Sequence, residues 1–312
     1  MTVFPSKAAA NEILSPPPRW GMTLLSDTSA FVADRFAFRQ EFITAWARLQ
    51  AALFRTSAEN QVTLGKDGWL YYSESLDDYT GVSLSDKELD DIAVHLAGMQ
   101  KEAEEAGCRF LFTVAPNKNS IYSANMPEQF VKRHEDSSIE RLQPYLKKYA
   151  VNYVDLYPLF HEGDGLYYRT DSHWTAKGAA AAADALTGSN FAAGPFSESE
   201  VRKGDLYEML YPAADGEENE VVFNGELNYE TIGNAQGGEA ITIHTVSNAG
   251  SGRLLCFRDS FGISLYPYLA SSFEEALFTR SVSFQFDKYD LADYDTVIVE
   301  IVERNLNYLL EK

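Results

Sequence analysis

The sequence predicts an α/β protein: a three-layer α/β/α sandwich around a mostly parallel sheet, with a small antiparallel insertion. Three observations carry this. Continuous apolar runs, such as Arg109-Phe-Leu-Phe-Thr-Val-Ala115, Arg253-Leu-Leu-Cys-Phe257 and Asp295-Thr-Val-Ile-Val-Glu-Ile-Val302, read as strands covered on both faces, the habit of parallel sheets. Helical patterns alternate with them, as right-handed crossovers require. Polar segments follow the ends of the runs, and that rim is where open α/β sheets bind ligands.

The 312 residues are 45% hydrophobic, enough to bury one large core. A formal net charge of -20 repels nucleic acid and anionic membranes, so no nucleic-acid partner is expected; an uncharged sugar or acyl ester is compatible. Cys108 and Cys256 sit in or beside apolar runs and read as free core thiols, although pairing cannot be deduced from sequence. No stretch reaches the ~18–20 apolar residues of a bilayer span. No signal peptide is legible at Met1.

Taken in order, residues 1–20 are broken by Pro16-Pro-Pro18. Ser26 or Asp27 caps a helix expected to reach Phe54, with Phe31, Phe38, Phe42, Trp46, Leu49 and Leu53 at helical spacing on a packing face. Gly65-Lys-Asp-Gly-Trp-Leu70 reads as a turn feeding a short strand. Ser85 to Gly107 is an amphipathic helix carrying Leu89, Ile92, Leu96, Met99 and Ala103, with Gly107 as its stop. After the first parallel strand comes a loop, 116–120, in which Lys118 and Asn119 are candidate site residues. Ile139 to Tyr149 is a helix, and Val151 to Leu156 a second strand. Thr175 caps an Ala-rich helix from Ala176 to Leu186. Residues 190–250 are rich in Gly, Asn, Glu and Thr and read as an antiparallel insertion or lid. The strand 253–257 then leads through Arg258-Asp-Ser-Phe-Gly262 into a helix starting near Ser264. The expected division is 1–84, a helical and extended segment packed on the core, and 85–312, the α/β domain with its insertion.

Three strand ends carry groups able to do chemistry. Asp171 and His173, two residues apart before a helix, supply an acid and an imidazole that fit side by side on one loop. Ser260 stands where a strand turns abruptly into a helix, with backbone N–H groups nearby to bind an oxyanion. Arg304 or Asn305, after the last strand, adds an oxyanion donor. In this arrangement His173 takes the Ser260 proton and Asp171 orients the imidazole. Each piece alone also fits a helix cap or a surface ion pair, so spacing leaves the catalytic and packing readings level. Asp259 is an alternative orienting acid. Trp174, with Trp69, is a candidate sugar platform. A metal site from His161, Asp164, Asp171 and His173 matches no ligand template, and no metal or cofactor is expected.

At these residues the chain resembles the SGNH hydrolase superfamily, and more closely the bacterial alginate O-acetylation proteins and the related DHHW family. Gly65-Lys-Asp-Gly-Trp-Leu70 resembles the family's Gly-x-x-Gly-Trp segment, Asp171-Ser-His-Trp174 its Asp-x-His-Trp motif, and Asp259-Ser-Phe261 its serine motif. The histidine block precedes the serine block, similar to the circularly permuted arrangement of the alginate acetylation group, with a flavodoxin-like sheet. Ser172 replaces the motif's second histidine, a position with no proposed role, and no Gly-x-Asn-Asp block is recognisable. The resemblance implies a serine-dependent O-acetyltransferase acting on an extracellular or cell-envelope polysaccharide. With water as acceptor the same machinery is an acetylesterase. A catalytically idle carbohydrate-binding or scaffold protein is the alternative from another class. The resemblance also implies a membrane-bound acetyl-donor partner protein, and export by a leader or anchor that this chain does not show.

Overall fold

In the computed structural model, which describes residues 15–34, 38–81, 84–133, 136–233, 238–280 and 284–310, the apolar runs assemble into one seven-stranded sheet. The strands in chain order are β1 (Val62–Leu64), β2 (Leu70–Tyr72), β3 (Arg109–Ala115), β4 (Tyr153–Val154), β5 (Phe196–Arg202), β6 (Glu218–Phe223), β7 (Glu230–Ile232), β8 (Thr242–Val246), β9 (Arg253–Phe257), β10 (Glu275–Thr279) and β11 (Thr296–Val302). The main sheet runs β4-β3-β11-β9-β10-β8-β7. Its first five members are parallel, and β8 and β7 close one edge antiparallel. The fold is the expected mostly parallel α/β sandwich. Among the described residues no helix is long and apolar enough to cross a membrane.

Side-chain alternation along each strand divides the core in two. Phe110, Phe112, Leu255, Phe257, Val297 and Val299 pack under helices Asp86–Glu105 and Ser138–Lys148. Leu111, Leu254, Cys256, Ile298 and Val302 face helices Ala176–Thr187 and Gly262–Ser272. Helix 86–105 starts on a reciprocal Ser85–Glu88 capping box and buries Leu89, Ile92, Leu96, Met99 and Ala103. It stops before Gly107, whose φ of +90 suits glycine alone. Thr175 caps the Ala-rich helix as expected, and its run of alanines allows close packing against helix 262–272. Cys108 and Cys256 are buried and free. His95 bonds the Leu309 carbonyl through Nδ1 at 2.7 Å, a packing contact.

Several local expectations need correction. The helix predicted from residue 26 to 54 is two helices, Leu24–Asp34 and Arg39–Phe54, with Phe38 in the left-handed region at φ 66. Its apolar spacing does not mark a packing face: Thr44 and Ala47 are buried, whereas Phe38, Trp46, Leu49 and Leu53 are exposed. The 116–120 loop contains a single helical turn, Lys118–Ile121. The second strand shortens to β4, because Tyr157–Glu162 begins a helix at once. β10 was not foreseen; its five residues pair in parallel with β9. Residues 190–250 divide into two parts. β5 and β6 form a separate hairpin, while β7 and β8 extend the main sheet.

Candidate active site

The segment from Tyr167 to Trp174 is a tight loop, pinned at its neck by a bridge between those two residues and by the Thr175 N–H donating to Leu166 O at 2.8 Å. From beneath, the Lys118 ammonium donates to three of its carbonyls, those of Tyr168, Arg169 and Asp171, at 3.2, 3.1 and 2.6 Å. From the side, Glu218 on β6 accepts from the Arg169 and Thr170 N–H groups at 2.6 and 2.9 Å. Charge-assisted bonds from both directions fix the loop's shape.

That loop and the β9 exit converge on one point. His173 Nε2 lies 2.9 Å from Ser260 Oγ, and His173 Nδ1 lies 2.8 Å from Asp171 Oδ1. Asp171 is 4% exposed, yet its oxygens also accept from the His173 and Asp205 N–H groups at 2.9 and 3.0 Å and pair with Arg202 at 3.0 Å. Burial alone raises a carboxyl's pKa; here the bond and charge of His173, then Arg202, overcome it and hold Asp171 well below the usual carboxylate range. Burial likewise depresses the imidazole, but the bonds to Asp171 and Asp205 outweigh it, and His173 is raised to about 9.

Ser260 is held by the strand-to-helix turn. Asp259 stiffens that turn, accepting from Phe261 N–H at 2.9 Å and from Val302 N–H at 2.7 Å. Among the described residues the Ser260 N–H meets no acceptor, so a backbone donor stands free beside the Ser260 hydroxyl. Asp259 faces the turn's backbone, whereas Asp171 faces the imidazole.

The other sequence candidates fall in different places. Arg304 lies against the rings of Tyr72 and Phe261, 5.2 and 5.5 Å from their centroids, beside the serine turn. Asn305 Nδ2 donates to Asp259 Oδ2 at 3.4 Å. Lys118 is not a substrate contact: it is 4% exposed, its donors serve the 168–171 carbonyls, and burial lowers its pKa to about 8. Asn119 is also buried, 1% exposed. Trp174 is corrected as a sugar platform. It is fully buried, its Nε1 donates to Phe261 O at 3.1 Å, and its ring stacks on Phe160, so it clamps the histidine loop to the serine turn. Trp69 spends its face on Tyr122 and the Lys118 ammonium.

Sequence reasoning missed Asp205 and Arg202, and it gave Ser172 no role. Asp205 opens the short helix Asp205–Leu210. Its carboxylate accepts from the Ser172 N–H at 2.7 Å and from the Ser172 hydroxyl, and lies 3.4 Å from His173 Nδ1. Gly204 makes the approach feasible, since a Cβ there would sit 2.4 Å from Thr170 O. No local motif announces a residue that meets the loop across more than thirty positions of chain; Gly-Asp at a helix start was the one available signal. Asp171, His173 and Asp205 offer three metal-ligand atoms within 4.8 Å of one another, but the mutual hydrogen bonds account for their gathering. The remaining sequence histidines do not join: His161 rests on Tyr157, His244 pairs with Glu275, and His134 lies outside the described residues.

Residues 62–204 match the family described as the SGNH hydrolase-like domain of acetyltransferase AlgX, a stretch that includes Asp171 and His173 and stops short of Ser260. A probable alginate O-acetylase AlgJ of Pseudomonas syringae pv. tomato is 27% identical over 156 residues, 49% of this chain and 39% of that protein. The chain spans less than half the length of the curated relatives it matches. Among solved structures, Bacillus cereus PatB1 with a sulfonyl adduct superposes with a TM-score of 0.59 at 14% identity, covering 80% of this chain and 97% of that one. The O-acetyltransferase domain of Pseudomonas putida AlgJ gives 0.53 at 19% identity, covering 80% and 92%. These likenesses are of fold.

Proposed function

We propose that this chain, which is similar to the SGNH hydrolase-like domain of the alginate O-acetylation proteins over residues 62–204, is a serine-dependent O-acyltransferase. The observation that carries this is the unbroken relay from Asp171 through His173 to Ser260, with contacts of 2.8 and 2.9 Å. In the reaction Ser260 Oγ attacks the acetyl carbonyl of a donor while its proton passes to His173 Nε2. The tetrahedral oxyanion is met by the Ser260 N–H and by the Arg304 guanidinium beside it. His173 then protonates the leaving group, and the acetyl group remains on Ser260 as an ester. A sugar hydroxyl gives its proton to His173 and attacks that ester; the acetyl–Oγ bond breaks and His173 returns the proton to Ser260 Oγ, which regenerates serine and neutral imidazole. Asp171 keeps Nδ1 protonated and stabilises the imidazolium formed in each half-reaction.

The relatives' names point to a carbohydrate acceptor. A site of action outside the cytoplasm or in the cell envelope, with a membrane-bound acetyl-donor protein, is part of the same proposal and rests on the family resemblance. Acetylesterase action is the second reading, favoured by one observation. The His173 side chain keeps 26% exposure, so water reaches the base. Labelling by a small aryl sulfonyl fluoride tests the nucleophile. One adduct on wild type, absent from Ser260→Ala, is expected; equal labelling of both removes Ser260 from this role.

A further inference from the structure

A cavity of about 370 Å3 opens at the carboxyl rim of the sheet, next to the serine turn. Asn117 and Glu303 line it just beyond the ends of β3 and β11, which are neighbours in the sheet. Arg304 and Asn305 form its wall on the catalytic side. Arg304 rests on Phe261 and Asn305 donates to Asp259, the two residues that bracket Ser260. The cavity and the nucleophile therefore share a wall.

The lining is acidic. Glu74, Asp77, Asp78, Glu88 and Glu303 contribute to it, against the single cation Arg304 among the described residues. Asp78 accepts from the Ser138 N–H and hydroxyl, and Glu88 is occupied by its capping box. Glu303 is buried, accepts from the Asn117 N–H, and burial raises its pKa. Glu74 and Asp77 are exposed, with Glu74 also hydrogen-bonded to the Tyr72 hydroxyl. A second observation is independent of charge. Asn117 is 1% exposed, and neither its amide oxygen nor its amide nitrogen has a hydrogen-bond partner. A buried primary amide left wholly unpaired is costly and calls for a ligand or water that both donates and accepts. Sugar hydroxyls and amines do both, and the Tyr308 ring adds an apolar face to the same cavity.

We propose that this cavity is the acceptor subsite and that it takes a glycan bearing free amino groups, not a polyuronate. The inference rests on the acyl-transfer reading only for calling the ligand an acceptor. Ammonium groups pair with the exposed carboxylates of Glu74 and Asp77, whereas uronate carboxylates meet like charge there on a chain whose net charge is -20. Alginate, named for the curated relatives, is a polyuronate, so the proposal separates this chain from them in substrate.

The test is calorimetric titration of the full chain at mildly acidic pH with short β-1,4-linked glucosamine, N-acetylglucosamine and mannuronate oligomers, at low and high salt. The amine oligomer is expected to bind at least about 5-fold tighter than its N-acetylated counterpart, with the gap closing as salt rises. Glu74→Gln and Asp77→Asn are each expected to weaken the amine oligomer about 3-fold, as exposed charges do, while the N-acetylated oligomer binds as before and reports an intact fold. Equal binding of amine and N-acetylated oligomers, tighter binding of the uronate with or without calcium, or no binding of any oligomer overturns the proposal. Nitrophenyl acetate turnover by wild type, compared with Ser260→Ala, is read separately. Turnover without amine preference defeats the subsite alone; amine binding without Ser260-dependent turnover defeats the acyl-transfer reading alone.

Discussion

Two acidic clusters flank Ser260 and hold their protons in opposite ways. On the histidine side, Asp171 is buried but surrounded by donors: the His173 ring and N–H, the Asp205 N–H and the Arg202 guanidinium. It stays charged. On the sheet side, Glu300 of β11 is fully buried, takes one bond from the Asp259 N–H at 3.2 Å, and leaves its other oxygen without a partner. Burial, then the repulsion of Asp259, pushes its pKa well above the usual carboxyl range. The buried cation nearby, Arg258, gives its donors to the carbonyls of Gly238, Ala240 and Asp259 instead. Both acids are buried, and burial pushes both pKa values up, so depth alone does not separate them. The donors and positive charge gathered around Asp171, and scarcer around Glu300, do.

The largest effect that tests this contrast is at the relay. Ser260→Ala and His173→Ala are each expected to lower kcat by about 10⁴-fold or more, and the double variant by no more than the worse single, because the two act as a unit. Asp171→Asn, which keeps the shape and loses the charge, is expected to cost about 10³–10⁴-fold by releasing the imidazole's tautomer. A loss below about 10-fold would mean that Asp205 carries the orienting role.

A smaller effect separates those two acids by pH. In the proposed relay His173 serves as a base only when neutral, and its neighbours raise it to about 9, so kcat/KM is expected to rise with pH up to that region. Asp205→Asn removes one of the two groups that raise it, so the profile is expected to shift to lower pH, with kcat/KM near neutrality up roughly 3-fold. An unmoved profile would show that Asp205 does not act on the imidazole. The same raised pKa has a stability consequence. Its contribution is complete below the unfolded value of 6.5 and is lost as pH climbs through about 9; for Asp171 the sense is reversed, with stability lost as pH falls.

The smallest effect lies on the sheet side. A neutral Glu300 is expected to accept replacement by Gln with activity within about 3-fold of wild type. Because its folded pKa is raised, wild-type stability falls as pH rises above the ordinary 4.5, while Glu300→Gln is free of that loss. The variant's Tm advantage in a pH series is therefore expected to grow from pH 5 upward. A constant or shrinking advantage would mean that Glu300 is charged, and the contrast with Asp171 would fail.

Much of the frame was legible in the sequence because parallel strands announce themselves as apolar runs and capped helices by their period. β3, β9, β11, the 86–105 helix and the Thr175 cap all follow from patterns within a dozen residues. The proposed relay was legible as three residue types in two short motifs, but only Ser260 follows a strand; Asp171 and His173 lie in a loop beyond helix Tyr157–Glu162, not at the strand end the sequence suggested. What was not legible depends on contacts between distant segments. Asp205 reaches His173 from the insertion, and Lys118 and Trp174 look like polar loop or platform residues until the fold buries them. β10 is short and follows a helix without a turn signal, and Phe38 adopts a left-handed conformation that no glycine advertises.

The most direct measurement is rapid mixing of the protein with a nitrophenyl acetate ester, followed by acid quench and peptide mass mapping. A burst of nitrophenolate close to one per active site, with one acetyl group on the peptide containing Ser260 and neither in Ser260→Ala, is the predicted result. A burst that persists in Ser260→Ala, or an acetyl group that maps to another residue, would contradict the account.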